Sequence, residues 1–258
     1  MTSTPVGYWG PVTSSVDWCE ENYTHSYYVA EWWNSISSVA MIAQGLLGMY
    51  LHQNTLGYKI TFSYFLTVIV GIGSTMFHAT LLHEYQMWDE LPMVWNACYL
   101  LWVLLDERGL AQRWVTVAIA VYCAVFSYLC HVAQGSVQFY TFQASFGLMM
   151  WACFYFVWKM YNRTTDESIR RLYQHGAFLL IAAISVWLFD SNLCFVFQYI
   201  PNPQLHAFWH VLMSTSLHYF YVACGYSSNL AVGAKRIQYL FGLVPYISVS
   251  GPELKKQA

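Results

Sequence analysis

The chain has 258 residues, 57% of them hydrophobic and only 9% charged, whereas a soluble domain carries about 25% charged residues. So apolar a composition excludes a surface that faces water all round and points to a chain that lives in lipid. A formal net charge of −2 and the lack of any basic stripe exclude a nucleic-acid partner.

Residues 1–32 form a polar, aromatic segment with four acids, Asp17, Glu20, Glu21 and Glu31, and no Lys or Arg. It lacks the basic start and apolar core of a cleavable signal peptide, so the first apolar helix is expected to act as its own targeting signal. Seven apolar runs follow, near 33–51, 60–81, 91–105, 114–132, 139–158, 173–190 and 205–226. They approach the ~20 residues a helix needs to cross a bilayer. Barrel strands would alternate in polarity and be about 10 residues long. The connections are short, with no internal repeat. The expected fold is therefore all-α: a lumenal N-terminal acidic segment (1–32), a seven-transmembrane catalytic bundle (33–226) and a cytosolic tail (227–258).

All 11 Lys and Arg fall in the first, third and fifth connections and the C-terminal tail. The N-terminal segment and the second, fourth and sixth connections hold none. With seven spans those two groups are the two sides of the membrane, and the positive-inside rule makes the C-terminus cytosolic and the N-terminus lumenal or extracellular. Asp17, Glu20, Glu21, Glu31, Glu84, Asp89, Glu90 and Asp190 gather on or near the non-cytosolic side. They are either solvated or balanced by bound metal.

This topology brings three motifs to one depth. GSTMFHATL (73–81) ends the second span, DELPM (89–93) begins the third, and HAFWH (206–210) begins the seventh. His206 and His210 are four apart and share a helix face, as do Ser74 and His78. Three neutral imidazoles with an open fourth position make a catalytic zinc site. Zinc would lower the pKa of a bound water to about 7. Asp89 is placed to act as general base, and Ser74 to donate to the oxyanion of a tetrahedral intermediate. The chemistry implied is hydrolysis of a carbonyl compound arriving from lipid. Blander roles compete: two packed histidines in HAFWH, Asp89 as N-cap of the third helix with Pro92 in its first turn, and Ser74 as a small packing residue after Gly71 and Gly73. Trp209 is expected to line the pocket. His218 lies deeper, as a core or cavity residue. His83 is expected in solvent, and His25, His52, His131 and His175 carry no signal.

DWCEENY (17–23) is a second cluster. Its closely spaced oxygen donors suit calcium, although composition alone favours a solvated acidic loop. Asn22-Tyr23-Thr24 is also a glycosylation sequon on the lumenal side. Cys19 and Cys194 lie on the oxidising side, as either a disulfide or two free thiols. The other five cysteines belong to apolar spans.

GYWGPVTSSVDWCEENY, VAEWWN, GSTMFHATL, DELPM and HAFWH, in this order, with FGLVPY in the tail, together resemble the alkaline ceramidase family, most closely its phytoceramidase-type members. The resemblance implies a seven-helix intramembrane zinc amidase that cleaves ceramide into a sphingoid base and a fatty acid. It implies His78, His206 and His210 as zinc ligands, with Ser74 and Asp89 catalytic. It also implies calcium at Asp17, Trp18 (through its carbonyl), Glu20, Asn22 and Glu31, which reverses the solvated-loop reading. A Cys19–Cys194 disulfide and membranes of the endoplasmic reticulum and Golgi follow from it as well. Three other readings compete. A retinal protein needs a Schiff-base lysine in a span, and residues 205–226 contain none. An adiponectin-receptor-like protein would also hold zinc with histidines, but with little or no turnover. An ion conductor would need no metal.

Overall fold

The computed structural model describes residues 6–227 and 234–250. Seven helices follow one another: α1 (Trp32–His52), α2 (Tyr58–Thr80), α3 (His83–Asp106), α4 (Arg113–Val132), α5 (Gly135–Arg163), α6 (Glu167–Leu193) and α7 (Leu205–Ser227). A 3-10 turn, Cys194–Gln198, links the last two. α1 packs on α2 and α7, α2 on α3, and α6 on α7, while α4 and α5 lie against α3. Tyr64, Leu104, Leu172, Tyr221 and Val222 are among the side chains sealed in the core.

Among the described residues, α2, α4 and α6 with its 3-10 extension are long and apolar enough to cross a membrane. Polar groups dilute two of the others: Glu84, Asp89 and Glu90 in α3, and His206, His210 and His218 in α7. The outer helices present apolar side chains outward, including Val121, Tyr128, Trp151, Phe178 and Ile181, as a lipid-facing surface requires.

Two expectations about α3 are corrected. The helix begins at His83, eight residues before the expected apolar run, so Asp89 is not its N-cap but lies in its second turn. Polar residues on the face turned toward the site had hidden that first stretch from a hydropathy reading. His83 is half-buried, with both ring nitrogens enclosed, rather than solvated. Pro92 stands inside the helix and cannot supply the N–H that would bond the Trp88 carbonyl. Gly73 of α2 closes on that same carbonyl: a Cβ there would collide with it and stand 2.8 Å from the Asp89 nitrogen. The proline and the glycine together bring α2 and α3 into backbone contact beside Asp89.

The tail also departs from the all-α expectation. Residues 234–250 fold into an antiparallel hairpin, β1 (Ala234–Leu240) and β2 (Val244–Ser250). Phe241 and Gly242, both at positive φ, make its turn. β2 docks against α1 and α7. The Pro245 carbonyl lies 2.8 Å from His218 Nε2, and the Ile247 N–H bonds His52 Nε2 at 3.4 Å. His52, silent in the sequence, is thus a fully buried anchor for the tail.

Candidate metal centre and active site

The site is assembled by the N-terminal segment. The last carbonyls of a helix lack intrahelical partners, and this segment satisfies those of α2. Glu31 N–H bonds the His78 carbonyl, Ala30 N–H the Ala79 carbonyl, and Thr13 and Ser14 both reach the Leu81 carbonyl. Glu20 in turn accepts from the Trp33 and Asn34 N–H groups at 2.7 and 3.0 Å, capping α1 from outside the helix. The Cys19–Cys194 disulfide ties the segment to the turn after α6.

These contacts bring His78, His206 and His210 together. All three are buried, and each offers a ring nitrogen within 4.8 Å of the others. The remaining ring nitrogens are held from behind. His78 Nδ1 lies 2.5 Å from Glu31 Oε2, and His210 Nδ1 lies 2.8 Å from the Ser37 hydroxyl. The Trp18 indole stacks on the His206 ring with centroids 3.7 Å apart. Nε2 of His78 and Nδ1 of His206 are buried with no hydrogen-bond partner. Buried polar nitrogens ordinarily find one, so this donor set fits a metal ion.

Ser74 and Asp89 stand beside the imidazoles. Ser74 Oγ is 3.5 Å from His210 Nε2 and 2.9 Å from Ser38 Oγ, and it interacts with the Asp89 carboxyl. They share one end of a cavity of about 450 Å³ with His206, His210 and Trp209. Trp209 is braced against Trp187. Beyond them the wall is mostly apolar, with Phe142, Phe146, Met150, Leu180 and Ile184 among its residues.

The residues of the acidic cluster divide. Asn22 donates to both oxygens of Asp17, at 3.1 and 3.2 Å. Asp17 touches Glu31, which accepts from the Trp18 N–H at 3.1 Å and from the Asn34 amide at 3.1 Å. Glu20 is engaged with the α1 terminus instead. Burial, reinforced by Glu31, holds the Asp17 carboxyl up at about 6. Burial pushes Glu31 up to about 8, with the Asp190 charge adding to it. Among the described residues, no Lys or Arg forms an ion pair with these acids. Asn22 is itself buried, which leaves no room for a glycan at the sequon.

Three contributors escaped the sequence reading. Asp190 accepts from the Cys19 N–H at 3.3 Å and from the His206 backbone, so it fixes where α7 begins. A carboxylate inside VWLFDSNL was its signal. Ser37 and Ser38 stand behind His210 and Ser74, and the hydroxyl-rich start of α1, NSISS, was theirs.

A family model described as Ceramidase matches residues 10–248. An alkaline ceramidase from Arabidopsis thaliana is 28% identical over 255 residues, covering 95% of this chain and 96% of the relative. Alkaline ceramidase 3 from Mus musculus is 28% identical over 267 residues, covering 93% and 94%. Alkaline ceramidase 1 from Homo sapiens is 30% identical over 220 residues, covering 80% of each chain.

Proposed function

The chain belongs to the ceramidase family, and from that premise we propose that it is a zinc-dependent intramembrane amidase that hydrolyses ceramide to a sphingoid base and a fatty acid. One observation carries the reading: three buried imidazoles, two of them with an unpartnered nitrogen, meet a carboxyl and a hydroxyl at the end of an apolar cavity. His78, His206 and His210 would hold the zinc, which when bound would supply Lewis acidity and lower the pKa of a coordinated water to about 7.

The protein's own groups do the rest. Asp89 takes the proton of the attacking water onto its carboxylate and later returns it to the leaving amine nitrogen. Ser38 donates its hydrogen to the Asn34 carbonyl at 2.7 Å, so toward Ser74 it is an acceptor. The Ser74 proton can therefore turn from Ser38 and Asp89 to the oxyanion developing on the substrate carbonyl. Trp209 and the apolar wall hold the hydrocarbon chains and keep bulk water out. Cavity residues Trp151, Ile181 and Ile184 are also exposed on the outer face of α5 and α6. That supports entry of substrate from the bilayer.

All seven helices span the membrane in this reading, with segment 1–32 lumenal, 33–226 catalytic and 227–258 cytosolic, in the endoplasmic reticulum and Golgi. Calcium is assigned to Asp17, the Trp18 carbonyl, Glu20, Asn22 and Glu31. The raised carboxyls of Asp17 and Glu31 support a cation there, because a positive charge offsets the cost of burying them.

The decisive test measures metal content and fatty-acid release on one detergent-purified sample. Stoichiometric zinc, and turnover lost to a strong chelator and restored by zinc, are expected. Full ceramide hydrolysis by metal-free protein would overturn the assignment. His210→Ala should lose both zinc and turnover.

A further inference from the structure

One polar cluster interrupts the apolar wall of the cavity well below the histidines. Thr67 of α2, Asn96 of α3 and Tyr221 of α7 meet there, and all three line the cavity. The Asn96 amide donates to the Tyr221 hydroxyl at 3.0 Å and to Thr67 Oγ1 at 3.3 Å. Thr67 donates its own hydrogen to the Ser63 carbonyl at 3.0 Å. Two hydrogen-bonding capacities are left over. The Asn96 amide oxygen is buried without a partner, and the Tyr221 proton has only a 3.5 Å approach to Thr67. Asn96 is 6% exposed and Tyr221 is 1% exposed, so bulk solvent does not reach them.

A packed apolar wall has no use for such a group, and leaving it unpaired is unfavourable. Turning the Asn96 amide over would only exchange an unpaired oxygen for an unpaired NH₂. A hydroxyl answers both arrangements, because it donates and accepts at once. The depth of the cluster is also defined. Asn96 lies seven residues below Asp89 on α3, and Thr67 lies seven residues from Ser74 on α2. At 1.5 Å per residue both offsets are about 10 Å, so two helices independently set one distance between this cluster and the amide-cleaving end.

We propose that Thr67, Asn96 and Tyr221 form a subsite for a hydroxyl carried part-way along a hydrocarbon chain of the lipid substrate, about 10 Å from the scissile amide. The identity of the lipid rests on the amidase reading; the subsite itself rests on the cavity. A chain with a hydroxyl at the matching carbon completes the cluster. A plain chain leaves the amide oxygen unpaired and binds more weakly.

The test uses probes that cannot be cleaved. Octadecanoic acid and sphinganine, each plain and with a hydroxyl at successive mid-chain carbons, are titrated against the purified full chain. The two arms tell an acyl chain from a sphingoid chain. At one position the hydroxylated probe should bind roughly three- to tenfold tighter than the plain one, the free energy of one buried hydrogen bond. Asn96→Leu should erase that difference, and Tyr221→Phe, which removes only a hydroxyl, should reduce it even if Asn96→Leu fails to fold. If no hydroxylated probe beats its plain counterpart in either arm, or if the gain survives both substitutions, the proposal falls. Hydrolysis of plain ceramide by the unmodified protein is measured separately, so the amidase reading can fail without this one.

Discussion

His78 and Glu31 are bound to each other twice: ring nitrogen Nδ1 lies 2.5 Å from a carboxylate oxygen, and the Glu31 N–H bonds the His78 carbonyl at 2.9 Å. Glu31 also touches Asp17, so one buried carboxylate belongs both to the acidic cluster and to the back of the imidazole group. It fixes the tautomer that leaves His78 Nε2 free for a metal.

Glu31→Ala is therefore expected to weaken both ions. Zinc affinity should fall by roughly 10- to 100-fold, the usual effect of losing a carboxylate behind a metal-bound histidine, and calcium should no longer stabilise the protein. Zinc competition against a chromophoric chelator and thermal melts with and without calcium measure the two losses. Unchanged zinc affinity would mean that the carboxylate does not orient the ring.

Asp89→Asn keeps the shape of the side chain and removes its basicity. The variant should retain zinc, because Asp89 is not among the three groups that could hold a metal ion, and lose at least two orders of magnitude in turnover. Fatty-acid release and metal analysis on the same preparation decide it. Near-normal turnover would remove Asp89 from the role of base.

Gly73→Ala tests the backbone contact that sets Asp89 beside Ser74. A methyl group there meets backbone rather than a flexible side chain, so α2 and α3 must separate. The expected cost is about 1–3 kcal/mol of stability, together with a fall in kcat. Gly147→Ala, where the new methyl would meet nothing within 4 Å, is the control and should melt with the unmodified chain.

Asp17→Asn should abolish the stabilisation given by calcium while leaving zinc content intact, since Asp17 contacts Glu31 but none of the histidines directly. Calcium-dependent shifts in melting temperature provide the readout. Cys19→Ser should lower the melting temperature in all conditions, because it frees the segment that carries Trp18 against His206. Zinc lost on Asp17→Asn would show that the two clusters are one site.

The helices were legible because hydropathy adds up along the chain, and α3 shows where that fails. Its first two turns contain Gln86, Asp89 and Glu90, which are buried; their polarity serves the interior of the bundle and disguises the helix. Pro92 read as a first-turn residue for the same reason. The hairpin at 234–250 left little trace, since its strands are held by β2 docking against α1 and α7 rather than by a strong alternation of their own.

The candidate site was legible as far as spacing reaches. HAFWH places two rings on one helix face wherever that helix goes, and GSTMFHATL does the same for Ser74 and His78. Asp190 and the Ser37–Ser38 pair were not readable, because each matters only through what it meets on another element.

By itself the sequence determined the apolar runs, the confinement of Lys and Arg to alternate connections and the tail, and the periodic pairs within single helices. All of these are local sums or local rotations of 100° per residue. Only the tertiary structure decided which ring nitrogens stay unpartnered, that Glu31 stands behind His78, and that Thr67, Asn96 and Tyr221 close on one point in the cavity. Those relations depend on how helices cross and how near they come, and that is set by small residues and backbone contacts such as Gly73 on Trp88, not by any pattern within one helix.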